Sequence, residues 1–180
     1  MKEDDDELLM ISVKRGVLDA LAPLFDKYHV RLYNFFLRLT FDRELSKDLT
    51  QNVFYRILRY RHSYRKEHKF RSWMYQIARN ILADHYGRQT DKSQDHYPVD
   101  SIKEPAYSFE DDMEKNERRR ILYTALSRLP ADQREILELS RFQGLKYEEI
   151  AEITGSSVNA IKVKIFRAIQ KLKTIYFQEV

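Results

Sequence analysis

Apolar residues recur at three- and four-residue spacing through most of the 180-residue chain, the pattern of amphipathic helices. Leu8 to Lys14 predicts a short helix stopped at Gly16. Asp19 is placed to cap the next helix, whose apolar face runs from Leu21 through Tyr28 and Phe35 to Leu39, with Pro23 in the first turn, where a missing N–H matters little. A break near Thr40–Asp42 precedes a third helix with Leu45, Leu49, Val53, Phe54, Ile57 and Leu58 on its apolar side. Arg61 to Lys69 has no apolar period and reads as a basic loop. A fourth helix follows from Arg71, carries Trp73, Met74, Ile77, Ala78 and Ile81, and is expected to end near Gly87. Gln89 to Asp112 is polar and aperiodic, with Pro98 and Pro105, which is linker composition. Beyond it a second helical set comprises Met113–Ser127, a helix opened by Pro130 that reaches Phe142, then Tyr147–Thr154 and Ser157–Tyr176.

The expected fold is therefore all-α: two small helical domains, residues 1–88 and 113–180, joined by a flexible acidic linker, 89–112. Four glycines, four prolines and 33% charged residues support helices over a sandwich or barrel. The chain has no cysteine, which excludes disulfides and thiolate zinc sites and fits a reducing cytoplasm. The acidic N-terminal stretch is no signal peptide, and the apolar runs are far too short for a membrane span, so a cytoplasmic protein without membrane insertion is expected. The acidic runs Asp4–Glu7 and Glu110–Asp112 read as solvated, disordered segments, and the five histidines show no ligand spacing. A metal-dependent nuclease is accordingly disfavoured, and neither a cofactor nor a catalytic residue is expected.

Charge is distributed unevenly. Residues 56–88 hold nine Arg and Lys against two acids, 91–117 hold nine acids against three Lys, and 157–173 hold five bases and no acid. Two basic blocks flanking an acidic stretch point to two polyanion-binding surfaces. In the second block, Tyr147–Thr154 is a short amphipathic helix closed by Gly155, and Ser156 or Ser157 offers a cap for a new helix. Two short helices on such a turn form a helix-turn-helix, whose second helix enters the major groove. Val158, Ile161, Ile165, Ala168, Ile169 and Leu172 make its apolar stripe, and the opposite arc carries Ala160, Val163 and Arg167, with Asn159 and Lys164 at the edges. Asn159 suits adenine, Lys164 and Arg167 suit guanine or phosphate, Ala160 and Val163 suit thymine methyls, and Ser157 sits at the helix start. Lys162 lies beside the stripe and reads as a phosphate contact reached by snorkelling.

In the first block, aromatics alternate with bases, a combination that holds unpaired nucleotides by stacking and by charge. Phe70 and Trp73 lie on apolar stripes, so core packing and DNA contact weigh equally for them. Tyr75 and the segment with Arg61, Lys66, Lys69 and Arg71 lie off the stripe and read as contacts. A duplex-binding regulator would explain residues 113–180 but leave this block idle.

Several stretches carry a family resemblance. Leu129-Pro-Ala-Asp-Gln-Arg134, Gly144-Leu-Lys-Tyr-Glu-Glu-Ile-Ala151 and Ala160-Ile-Lys-Val-Lys-Ile-Phe-Arg-Ala168 resemble the C-terminal domain of extracytoplasmic-function (ECF) sigma factors. Asp48-Leu-Thr-Gln-Asn-Val-Phe54 and Phe70-Arg-Ser-Trp-Met-Tyr-Gln-Ile-Ala-Arg-Asn80, followed by Asp84, resemble the N-terminal domain of the same family. The resemblance implies a subunit that brings bacterial RNA polymerase to promoter DNA. It implies that the helix of Asp48, Leu49, Gln51, Asn52 and Phe54 binds core polymerase, that Arg61–Asn80 captures and melts the −10 element, and that Asn80 and Asp84 shape a pocket for a flipped base. Ser157–Arg167 would read the −35 element as duplex, and the acidic linker would pass through the polymerase cleft. An anti-sigma factor, often membrane-tethered, is a further implied partner. Asn52 stands where the family commonly has Glu, Asn159-Ala160 where it has Gly-Thr, and Val163 where it has Ser. Arg88, four residues after Asp84, is spaced to pair with it.

Overall fold

In the computed structural model, which describes residues 3–90 and 113–179, all regular structure is helical. The order is α1 (Glu3–Lys14), a 3₁₀ turn (Leu18–Ala20), α2 (Leu21–Thr40), α3 (Arg43–Arg59), a second 3₁₀ turn (Arg61–Ser63) and α4 (Phe70–Thr90). Then follow α5 (Met113–Ser127), α6 (Ala131–Leu137), a π-helical turn (Glu138–Phe142), α7 (Tyr147–Thr154) and α8 (Val158–Glu179). The expected linker lies outside the described residues, except that α4 continues through Gln89 to Thr90. Gly87 does not end that helix: it takes no positive φ, and a glycine inside a helix weakens it by only about 1 kcal/mol.

The N-terminal half is built on α2. Leu24, Tyr28, Leu32, Phe35, Phe36 and Leu39 are all buried at helical spacing; α2 packs against α3, α4 packs on α3 as well, and Tyr28 and Phe35 meet Phe70 and Tyr75 of α4. Asp19 does not cap α2. The 3₁₀ turn runs into the helix through Ala20, whose αR backbone is not the extended conformation of a side-chain cap. At the far end, Phe41 is a non-glycine residue with φ 56° and returns its N–H to the Leu37 carbonyl, which sets the corner into α3. Asp42 then caps α3 by accepting from the Leu45 N–H at 2.9 Å.

The N-terminus departs most from expectation. The acidic run lies in α1 rather than in a disordered tail. Asp6 is buried, accepts from Lys27 Nζ at 2.6 Å and from the Tyr28 hydroxyl at 2.5 Å, and Met10 and Val13 complete the buried face. Burial and the neighbouring Asp6 carboxylate push the Tyr28 phenol well above its ordinary range.

In the C-terminal half, α5 and α6 pack on α8, which also packs on α7. Gly155 closes α7 at φ 65°, and Ser157 Oγ caps α8 by accepting from the Ala160 N–H at 3.2 Å. Buried apolar residues of both halves form one continuous cluster, because α7 docks on α4 and the α5–α6 region touches α2.

Replacing Asp6 with Ala strips a buried tyrosine hydroxyl and a lysine of their acceptor, so we expect chemical denaturation to report a loss of about 3 kcal/mol. A loss under about 1 kcal/mol, the value of an exposed pair, would show that α1 is not anchored in this way.

Candidate nucleic-acid and polymerase interface

The helix-turn-helix has the expected division of faces. On α8, Ile161, Ile165 and Ala168 are buried against α6 and α7. Ser157, Asn159, Lys162, Val163, Lys164 and Arg167 are exposed, and Ala160 is half-buried. The result is an outward surface of three positive charges interleaved with small and apolar side chains, on a helix whose orientation α7 fixes.

The N-terminal candidates divide differently. Lys66, Lys69 and Asn80 are exposed. Arg61 is half-buried and donates to the Leu58 carbonyl at 2.8 Å, closing the turn after α3. Asp84 pairs with Arg56 of α3 at 2.8 Å, and the side chain of Arg88, the partner its spacing suggested, lies outside the described residues. Phe70 is fully buried and settles as core. Trp73 is half-buried, 5.1 Å from the Tyr64 ring, and lines a cleft of about 260 Å³ with Ser72, Gln76, His68 and Glu152. The placement of Tyr75 off the apolar stripe needs correction. It is 1% exposed, edge-on to Phe35, and its hydroxyl donates to Gln143 Oε1 at 2.6 Å. A tyrosine inside one domain's surface becomes interior once a second domain covers it, and burial pushes its phenol well above the ordinary range.

The covering element is the C-terminal half, and it meets the basic face with acids. Arg71 pairs with Glu149 at 3.1 Å, Arg79 with Glu135 at 2.9 Å, Arg38 with Glu138 at 3.3 Å, and His68 with Glu152 at 2.5 Å. Arg134 crosses in the other direction, donating to the Leu39 carbonyl at 3.3 Å with its guanidinium 4.9 Å from the Phe41 ring. None of these acids figured among the sequence-based candidates. Only Glu149 carried a local signal: three residues after Lys146, it reaches back to accept that residue's N–H at 2.7 Å. Glu138 and Gln143 bracket the π turn, which closes with a Gln143 N–H to Glu138 carbonyl bond and brings the two side chains to 2.8 Å.

On α3, Asp48 and Gln51 are exposed and Asn52 is half-buried, on the side away from the core. Leu49 and Phe54, expected beside them in a polymerase contact, are buried and hold that surface from within. Their spacing fits the apolar stripe of α3 as well as it fits the motif.

Two family models match the chain. Sigma-70 region 2 covers residues 24–91 and Sigma-70, region 4 covers 119–172, which defines a sigma-70 type transcription initiation factor. Among curated relatives, RNA polymerase sigma factor CarQ of Myxococcus xanthus is 31% identical over 161 residues, spanning 89% of this chain and 91% of that protein. ECF RNA polymerase sigma factor SigM of Bacillus subtilis is 30% identical over 162 residues, spanning 87% of this chain and 94% of the relative. The chain belongs to the ECF sigma factors of the sigma-70 family, and it directs promoter-specific initiation by RNA polymerase. Its fold matches CnrH, solved in complex with the cytosolic domain of CnrY, with TM-score 0.74 at 20% identity over 97% of this chain and 99% of that one.

The seam carries a pH signature. Burial pushes the Glu138 carboxyl up to about 7, against the pull of Arg38 and the hydrogen bond from Gln143. A raised carboxyl stabilises the fold fully below the ordinary value of 4.5 and loses that contribution as pH rises through about 7. The melting temperature of the natural protein should therefore fall relative to that of Glu138→Gln between pH 5 and pH 8. Parallel curves would place Glu138 in water.

Proposed function

We propose that the two halves contact promoter DNA at separate elements: α8 reads the −35 duplex, and the Arg61–Asp84 segment captures and opens the −10 element. The observation that carries this reading is the division of α8, apolar stripe inward and Asn159, Lys164 and Arg167 outward on a helix-turn-helix frame. Asn159 and Arg167 supply base-edge contacts, Lys162 and Lys164 follow phosphates, and Ala160 and Val163 meet thymine methyls. In the N-terminal half, Trp73 in the cleft and the exposed Lys66 and Lys69 of the preceding loop suit a displaced base and its backbone. Asn80 and Asp84 lie further along α4 on the same exposed flank. Asp48, Gln51 and Asn52 supply the polar part of the polymerase contact.

In this reading the described form is closed. Arg71 and Arg79 are held by Glu149 and Glu135, and Tyr75 is covered, so engagement of the −10 strand requires the halves to separate. The protein does no covalent chemistry of its own and acts in the cytoplasm; among the described residues no helix is long and apolar enough to cross a membrane. An anti-sigma factor is the natural inhibitory partner, supported by the solved likenesses: CnrH with the CnrY cytosolic domain, and RpoE with the anti-sigma factor NepR from Bartonella quintana.

The test is transcription in vitro with core polymerase on a promoter selected from a genomic library. Arg167→Ala should weaken use of the −35 element about tenfold. Trp73→Ala should reduce open-complex formation by a similar factor while sparing holoenzyme assembly. Normal transcription by both variants would contradict the site map.

A further inference from the structure

The exposed basic loop Arg65–Lys69 sits between two buried aromatic residues, Tyr64 and Phe70, and both of its ends are held by the same helix. At the start, Lys14 Nζ donates to the Tyr64 carbonyl at 2.6 Å. At the finish, Glu7 Oε1 accepts from the Phe70 N–H at 2.9 Å. That N–H is one of the unpaired donors at the start of α4. The residue in cap position there is Lys69, whose side chain has no acceptor, so a carboxylate from α1 does the capping at the positive end of the helix. Between the ends, the Tyr64 hydroxyl donates to the His68 carbonyl at 2.9 Å, and the Tyr64 ring packs on Trp73.

Glu7 and Lys14 are seven residues apart, two turns along one face of α1, or roughly 10 Å of helix. Alpha-helical backbone is stiff, so this separation sets the distance between the loop's two ends. The helix itself cannot slide, because Asp6 is locked to Lys27 and Tyr28 and Met10 and Val13 are buried.

We propose that Glu7 and Lys14 are positioning residues for −10 recognition: α1 acts as a ruler that fixes the shape of the 65–69 loop, and thereby which bases the loop and Trp73 accept. Neither side chain touches DNA. The inference rests on the assignment of this segment to the −10 element. It assigns α1, whose acidic start resembled a solvated tail, a part in promoter choice. The physical reason is tolerance: base discrimination needs contacts held to a fraction of an ångström, and a loop tethered at one end only does not supply that.

The experiment is transcription by reconstituted holoenzyme, with full-length protein, from templates randomised in the −10 and −35 blocks, followed by sequencing of the RNAs and their templates. Glu7→Ala and Lys14→Met should flatten base preference in the −10 block on the order of fivefold, the size of one misplaced base contact, and leave the −35 preference and holoenzyme yield unchanged. Glu7→Gln keeps an acceptor and Lys14→Arg keeps a donor, so each should restore most of the preference. Unchanged −10 preference in the Ala and Met variants would overturn the proposal. So would equal flattening of both blocks or loss of holoenzyme, which mark a merely structural role. Failure of the underlying assignment is visible separately, as a natural protein with no −10 preference at all, and that outcome overturns both.

Discussion

What distinguishes this structure from two helical domains on a tether is one seam, where carboxylates of the C-terminal half meet Arg38, His68, Arg71 and Arg79 around a shared apolar cluster. Arg71–Glu149 and Arg38–Glu138 are largely withdrawn from solvent, whereas Arg79–Glu135 and His68–Glu152 lie nearer the edge. Ion pairs of this sort are demanding without being strong. Removing one partner from a buried pair costs about 3–5 kcal/mol, yet the assembled pair adds little beyond its own desolvation. A seam built from them therefore fixes one docking geometry while remaining separable when both partners are returned to water. On the proposed site map, Arg71 would be held by Glu149 in the closed protein and freed for a strand phosphate in an open complex.

The closed form treats the functional surfaces unequally. The basic arc of α8 and the polar edge of α3 face outward, whereas the Arg71, Tyr75 and Arg79 side of α4 is covered. On the proposed site map, the polymerase and duplex surfaces are thus available before the strand-capturing surface is. That order suits a factor whose capture of unpaired DNA belongs on polymerase rather than free in solution. Bipartite attachment then raises the effective concentration of each contact once the other has formed.

Much of the fold was legible because it is local. Helical periodicity located α2, α3, α7 and α8, Gly155 marked the turn of the helix-turn-helix, and ordered motifs pointed to the family. The errors share one cause: they involve partners far apart in sequence. Asp6 and Glu7 look like a solvated acidic run until Tyr28 and the start of α4 are brought beside them. Tyr75 lies off the stripe of its own domain and is buried by another. Glu135, Glu138 and Glu152 carry no local mark at all, since surface helices are full of acids. Leu49 and Phe54 show the converse, a motif read as a contact where the periodicity equally described a core.

The central claim is that the seam closes in the free protein and opens on promoter-bound polymerase. Because the chain has no cysteine, a pair introduced at the exposed positions Asp26 and Lys173, one in each half, can be spin-labelled without background. Pulsed dipolar spectroscopy should give a single narrow distance for the free protein and a longer one in the complex with polymerase and promoter DNA. The same narrow distance in both states would contradict the account.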